Sequence, residues 1–136
     1  MKEVNSTQDR IREKEPEIAP LRKHNRKTVP GGLFRNAFKM KLNSGCKAEY
    51  KRRHDEIWPE LSRVLTDAGI SDYSIYLDEE TNTLFAFQKL APGHTADDLP
   101  DNPVVQKWWN YMSDIMEYND DNTPVAIPLE EMFHAD

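Results

Sequence analysis

Two hydrophobic periods alternate along most of this chain, and their order is the tightest constraint on its fold. Arg35 to Leu42 repeats every second residue, with Phe38, Met40 and Leu42 on one side and Ala37, Lys39 and Lys41 on the other, which predicts a strand. Asn43-Ser44-Gly45 then turns the chain and offers a cap for a helix. Along that helix Tyr50, His54, Ile57, Leu61, Val64, Leu65 and Ala68 share one face, with an interruption or restart at Trp58-Pro59 and an end at Gly69. Tyr73 to Asp78 and Thr83 to Lys89 return to period two, joined by a turn at Glu79 to Asn82, and predict a hairpin. A long polar loop covers Ala91 to Asp101. Asn102-Pro103 caps a second helix running to about Met116 with Val105, Trp108, Trp109, Met112, Ile115 and Met116 on a wide apolar arc. Leu129 to His134 is the expected last strand. The order βαββαβ is the split βαβ, or ferredoxin-like, α+β pattern, in which both helices lie on one face of a four-stranded antiparallel sheet. The opposite face, with Ala37 and Tyr76, is too apolar to stay wet, so a homodimer packed sheet against sheet, of the dimeric α+β barrel type, is expected.

Placing both helices on one face brings the polar groups of that layer together. Tyr50 and His54 come from the first helix, Tyr73 from the second strand, and Trp108 and Trp109 from the second helix. A polar tip buried without a partner costs roughly 1–3 kcal/mol, so this face is either a core with satisfied polar groups or the wall of a pocket. Neighbouring helical residues point about 100° apart, so one tryptophan belongs to the core and the other to a cleft. Two phenols, an imidazole and indole faces suit a sugar, whose hydroxyls take hydrogen bonds while its C–H face lies on aromatics; they also suit a flat aromatic ligand. No acidic pair is placed for glycoside hydrolysis, no glycine-rich loop awaits a phosphate, and no His/Cys cluster has metal spacing, so neither metal nor cofactor is expected. His24, His94 and His134 are most simply solvated surface residues.

Composition narrows the setting. The 136 residues suit one domain, and a net charge of −6 gives no general help toward nucleic acid. A single cysteine, Cys46, excludes an internal disulfide framework and fits a reducing compartment. No apolar run approaches the roughly 20 residues of a membrane span, which makes the cytoplasm the expected location and a membrane partner unexpected. Residues 1–33 differ in kind: they mix charges of both signs with Pro16, Pro20 and Pro30 and lack aromatics. They predict a flexible charged extension, hinged at Pro30-Gly31-Gly32, ahead of a domain over 34–136.

Several blocks then carry a resemblance. Tyr50-Lys51-Arg52-Arg53-His54-Asp55-Glu56-Ile57-Trp58-Pro59-Glu60-Leu61, Asp72 to Asp78, Asn82 to Phe85, Trp108 to Met112, Asp121 to Val125 and Met132 to His134 resemble, in order and spacing, the L-rhamnose mutarotases. The resemblance runs from about Phe34 to the C-terminus and implies a ferredoxin-like domain that dimerises. It implies His54 as the catalytic proton donor, and sugar contacts from Tyr50, Tyr73, Trp108 and Trp109. The activity so implied is isomerase chemistry at the anomeric carbon: interconversion of the α and β anomers of L-rhamnopyranose by acid/base-catalysed ring opening. The first 33 residues depart from the family pattern. Two other classes fit the residues: a ferredoxin-like protein binding haem or an aromatic through His54, and a non-catalytic sugar-binding module.

Overall fold

The computed structural model describes residues 33–136, so the charged extension expected over 1–33 lies, apart from Leu33, outside the described residues. The first strand, β1 (Phe34–Lys41), follows the alternation of its sequence: Phe38 and Met40 are buried while Arg35, Lys39 and Lys41 face outward. Gly45, at φ 79°, turns the chain into α1 (Lys47–Asp55). The helical stripe then divides in two. Trp58 precedes a proline and is extended, at φ −62° and ψ 130°, so α1 stops and α2 (Pro59–Asp67) starts afresh with Pro59 in its first turn. Ile57 holds the joint by giving its N–H to the His54 carbonyl at 3.2 Å. Gly69, at φ 91°, ends α2 where the chain passes so near His94 that an added Cβ would lie 2.9 Å from the His94 Cβ.

Strands β2 (Ile70–Asp78) and β3 (Thr83–Leu90) form the expected hairpin, in register Leu77↔Leu84 and Asp78↔Thr83, with Asn82 at φ 58° in the turn. The Ala91–Asp101 segment, expected as loop, contains a short 3₁₀ turn over Ala96–Asp101 that buries Ala96 and Leu99. Helix α3 (Pro103–Met112) begins as its sequence predicts, the Asn102 side chain accepting from the N–H groups of Val104 at 2.8 Å and Val105 at 3.4 Å. It stops at Met112 rather than about Met116. The chain turns there to lay Met116 against Leu42 and to give the Glu117 N–H to the Lys41 carbonyl, so Ile115 and Met116 are buried without being helical.

The last strand, β4, is Ala126–Pro128, not Leu129–His134. Leu129 still gives its N–H to the Ala37 carbonyl, but Met132 and Phe133 beyond it are 85% and 82% exposed and pair with no strand among the described residues. Apolar identity alone does not make a strand where there is no face to pack on. The sheet order is β2-β3-β1-β4, all neighbours antiparallel, with the helices on one face: the ferredoxin-like arrangement. Its core is centred on Phe38, Leu84, Leu90 and Met112 between the two layers. The opposite face carries Tyr76, Phe87 and Ile127 in the open. No helix among the described residues is long and apolar enough to cross a membrane.

Candidate functional site

Between the helices and the inner face of the sheet runs an open cleft of about 1480 Å³, lined among others by Tyr50, His54, Tyr73, Trp108 and Trp109. All five residues expected at a site thus meet in one space. It exceeds the roughly 300–1,000 Å³ of small-molecule pockets because it runs out along β2, where Ser71, Asp72 and Tyr73 are exposed.

Helix α1 sets the first pair. Tyr50 and His54 are one turn apart, and their rings stack at 4.3 Å with a 26° tilt. The same spacing puts the His54 Nδ1 3.2 Å from the Tyr50 carbonyl oxygen. A carbonyl only accepts, so Nδ1 carries the proton and Nε2 is the bare, basic nitrogen. Burial lowers the imidazole's proton affinity, against smaller opposing effects of that backbone bond and of Asp55. His54 is therefore a neutral base at neutral pH. The edge of its ring meets Trp108 of α3 at 5.4 Å and 90°.

Trp108 and Trp109 divide as neighbours on a helix must: Trp108 is 7% exposed and packed in the core, while Trp109 is half-buried at the cleft. Trp108 continues into Trp58 at 5.1 Å and Tyr111 at 5.6 Å, so the wall behind His54 is a layer of aromatic rings. Tyr73 is 38% exposed at the edge, yet burial of its phenol pushes it up to about 12. The Tyr50 phenol is raised further, chiefly by burial and then by the nearby phenols of Tyr73 and Tyr118. These hydroxyls keep their protons at neutral pH and can donate them in hydrogen bonds.

Several neighbours of this site were not anticipated. The guanidinium of Arg53 lies 4.5 Å from the centre of the Tyr111 ring, donates to the Tyr111 carbonyl at 2.6 Å, and pairs with Asp114 at 2.8 Å and Glu49 at 2.7 Å. It ties α1 to the end of α3. Only the Glu49–Arg53 spacing of four residues was visible in the sequence; Tyr111 and Asp114 lie 58 and 61 positions away. Trp58, which the sequence marks only as a helix joint, packs on Trp108, and Tyr118 lines the cleft as well. Asp55 and Glu56 are exposed and tied to Lys51 and Arg52. His134 is exposed beside Asp136 as expected. His94 is not simply solvated: it is half-buried, meets Phe34 edge-on at 5.8 Å and accepts the Ala96 N–H. His24 lies outside the described residues. Among the described residues no three His, Cys, Asp or Glu side chains gather as a metal site would need.

Comparison with known proteins adds to this geometry. A family model described as L-rhamnose mutarotase matches residues 35–135. The chain is similar to the L-rhamnose mutarotase of Phocaeicola vulgatus, 57% identical over 104 residues, which are 76% of this chain and 100% of that protein. It is also similar to that of Mesorhizobium japonicum, 61% identical over 98 residues, 72% of this chain and 93% of the relative. The crystal structure of an L-rhamnose mutarotase from Formosa agariphila superposes with a TM-score of 0.70 at 59% identity, covering 75% of this chain and 98% of that one.

Proposed function

Because the chain belongs to the L-rhamnose mutarotase family, we propose that it is an isomerase interconverting the α and β anomers of L-rhamnopyranose. The observation that supports His54 as its catalytic residue is the hydrogen bond from Nδ1 to the Tyr50 carbonyl, which leaves Nε2 as a base. In the forward step Nε2 takes the proton from O1 of the sugar. The imidazolium returns that proton to the ring oxygen O5 as the C1–O5 bond breaks, which gives the open-chain aldehyde. Rotation about the C1–C2 bond presents the other face of the carbonyl. O5 then attacks C1 while Nε2 recovers the proton and delivers it to the new O1. Protons and electron pairs balance, and the sugar leaves as the other anomer. Tyr50 and Tyr73, kept protonated by burial, donate hydrogen bonds to sugar oxygens, and Trp109 and Trp108 offer ring surface to its C–H face and C5 methyl.

The family match at 35–135 supports a catalytic domain beginning near Phe34, with residues 1–33 as an appendage. The free Cys46 suits a reducing compartment, and the enzyme is assigned to the cytoplasm. The exposed Tyr76, Phe87 and Ile127 support a homodimer joined through its outer sheet faces.

Saturation-transfer NMR on L-rhamnose tests this reading. The protein should accelerate exchange between the anomeric protons, and His54→Ala should abolish the acceleration while circular dichroism stays native. Exchange within a few-fold of the parent in that variant would remove His54 from the mechanism. A protein that binds L-rhamnose and leaves exchange at its spontaneous rate would be a sugar-binding module instead.

A further inference from the structure

Tyr118 belongs to none of the residues assigned to the sugar, yet it lines the same cleft. The segment that carries it is held at both ends. Glu117 gives its N–H to Lys41 at 3.0 Å, Val125 gives its N–H to Glu117 at 3.1 Å, and Asn119 bonds Thr123 at 2.8 Å. Tyr118 itself bridges to Pro124 across this closed turn. Its ring is therefore delivered to the cleft by a braced piece of backbone.

Its hydroxyl proton is already committed. The last turn of α3 tightens, so that the Ser113 N–H goes to the Asn110 carbonyl at 3.3 Å and not to that of Trp109, the acceptor one full helical turn back. The Trp109 carbonyl accepts the Tyr118 hydroxyl in its place. Burial, followed by the charge of Asp114, holds the phenol protonated, so this donor direction does not reverse near neutral pH. What remains on the phenol is oxygen lone pairs. Tyr50 and Tyr118 line the same cleft.

We infer that Tyr118 is a further sugar-contacting and specificity-determining residue: with its proton held by the Trp109 carbonyl, its phenol oxygen accepts a hydrogen bond from one hydroxyl of the bound sugar. This rests on the assignment of the cleft to L-rhamnose. Where Tyr50 and Tyr73 have protons to give, Tyr118 can only receive. A sugar hydroxyl that approaches it must donate, and a deoxy sugar lacking that hydroxyl has nothing to offer.

The test is a cycle between Tyr118→Phe and the 2-, 3- and 4-deoxy derivatives of L-rhamnose, with KM, kcat for anomer exchange and melting temperature read for each protein. Tyr118→Phe should raise KM for L-rhamnose about three- to tenfold, the worth of one neutral hydrogen bond, with kcat within about twofold. One deoxy derivative should show a raised KM with the parent protein and no further rise with the variant, because the contact is already gone; the other two should lose affinity equally with both. A fall in melting temperature with KM unchanged for all four sugars would mean that the hydroxyl only caps α3, and would overturn the inference. So would deoxy penalties identical in the two proteins. If the parent fails to exchange L-rhamnose anomers at all, the assignment of the cleft falls first and this contact with it, a result distinct from an active parent with an indifferent Tyr118.

Discussion

An imidazole whose Nδ1–H is held by a carbonyl one turn back along its own helix has a single nitrogen left for chemistry, and burial decides when that nitrogen is bare. For His54, burial lowers the proton affinity below the usual value of 6.5. Exchange should therefore persist as pH falls through 6.5 and decline only at more acid pH, on a single-proton limb that a pH–rate profile resolves. The same shift acts on stability with a definite sign. Below about pH 6.5 the unfolded chain takes up the His54 proton before the folded one does, so the folded state is progressively destabilised on acidification, until its own imidazole protonates. His54→Ala should remove that part of the acid slope in denaturation midpoints; an unchanged slope would refute the buried, neutral histidine. That Tyr50, His54, Tyr73, Trp108 and Trp109 line one cleft was legible because each lies on a repeating face: Tyr50 and His54 on one helical stripe, Tyr73 on the inner side of a strand, Trp108 and Trp109 on one arc. Arg53, Tyr111, Asp114 and Tyr118 were not, since their roles come from contacts between elements, and period carries no information across 58 or 61 residues.

At the scale of elements, the signals that worked were local and the failures came from tertiary competition. The proline at 59 and the glycine at 69 mark real ends, and Asn102 caps α3 through its own side chain. Helix α3 ends early because the strand edge at Lys41 and Leu42 takes the following segment, and β4 stops at Pro128 because Met132 and Phe133 meet no face. The joint between α1 and α3 depends on Arg53. Its side chain is 10% exposed, while Asp114 is 67% exposed and can rehydrate if the guanidinium is removed. The cost of Arg53→Met should then be that of the lost bond to the Tyr111 carbonyl and the lost ring contact, about 1–3 kcal/mol, and not that of an orphaned buried charge. Because Tyr111 backs Trp108, which in turn meets His54, kcat should fall more than KM rises. Arg53→Lys keeps a charge but not the fork that spans Asp114, Glu49 and a carbonyl, so it should recover stability only in part. Native thermal stability in Arg53→Met, measured by calorimetry, would show that the helices need no such tie.

Among the described residues of the molecule, the ferredoxin-like sheet has two faces and one layer of helices. Tyr76 is 65%, Phe87 45% and Ile127 41% exposed on the uncovered face, with Tyr76 and Phe87 in ring contact at 5.9 Å. Ala37 and Phe85 fill the register beside them, opposite Phe87 and Tyr76, which makes the apolar surface continuous across the three strands β1, β3 and β2. A continuous patch of this kind is unfavourable in water, at roughly 25 cal/mol per Å² of apolar area left wet. A second copy turned about a two-fold axis offers the complementary surface without any new sequence, since an isologous contact matches a patch to itself. The five residues expected at the site all line one cleft within a single chain. In the proposed homodimer Phe87→Glu should then place two carboxylates against each other and separate it, shifting the mass seen by sedimentation from twice 15.9 kDa to 15.9 kDa. The separated subunits should still exchange anomers within a few-fold of the parent, at lower thermal stability and with greater tendency to aggregate. A parent that sediments as a monomer at micromolar concentration, or a Phe87→Glu protein that remains a dimer, would mean that the outer face is not the one that pairs.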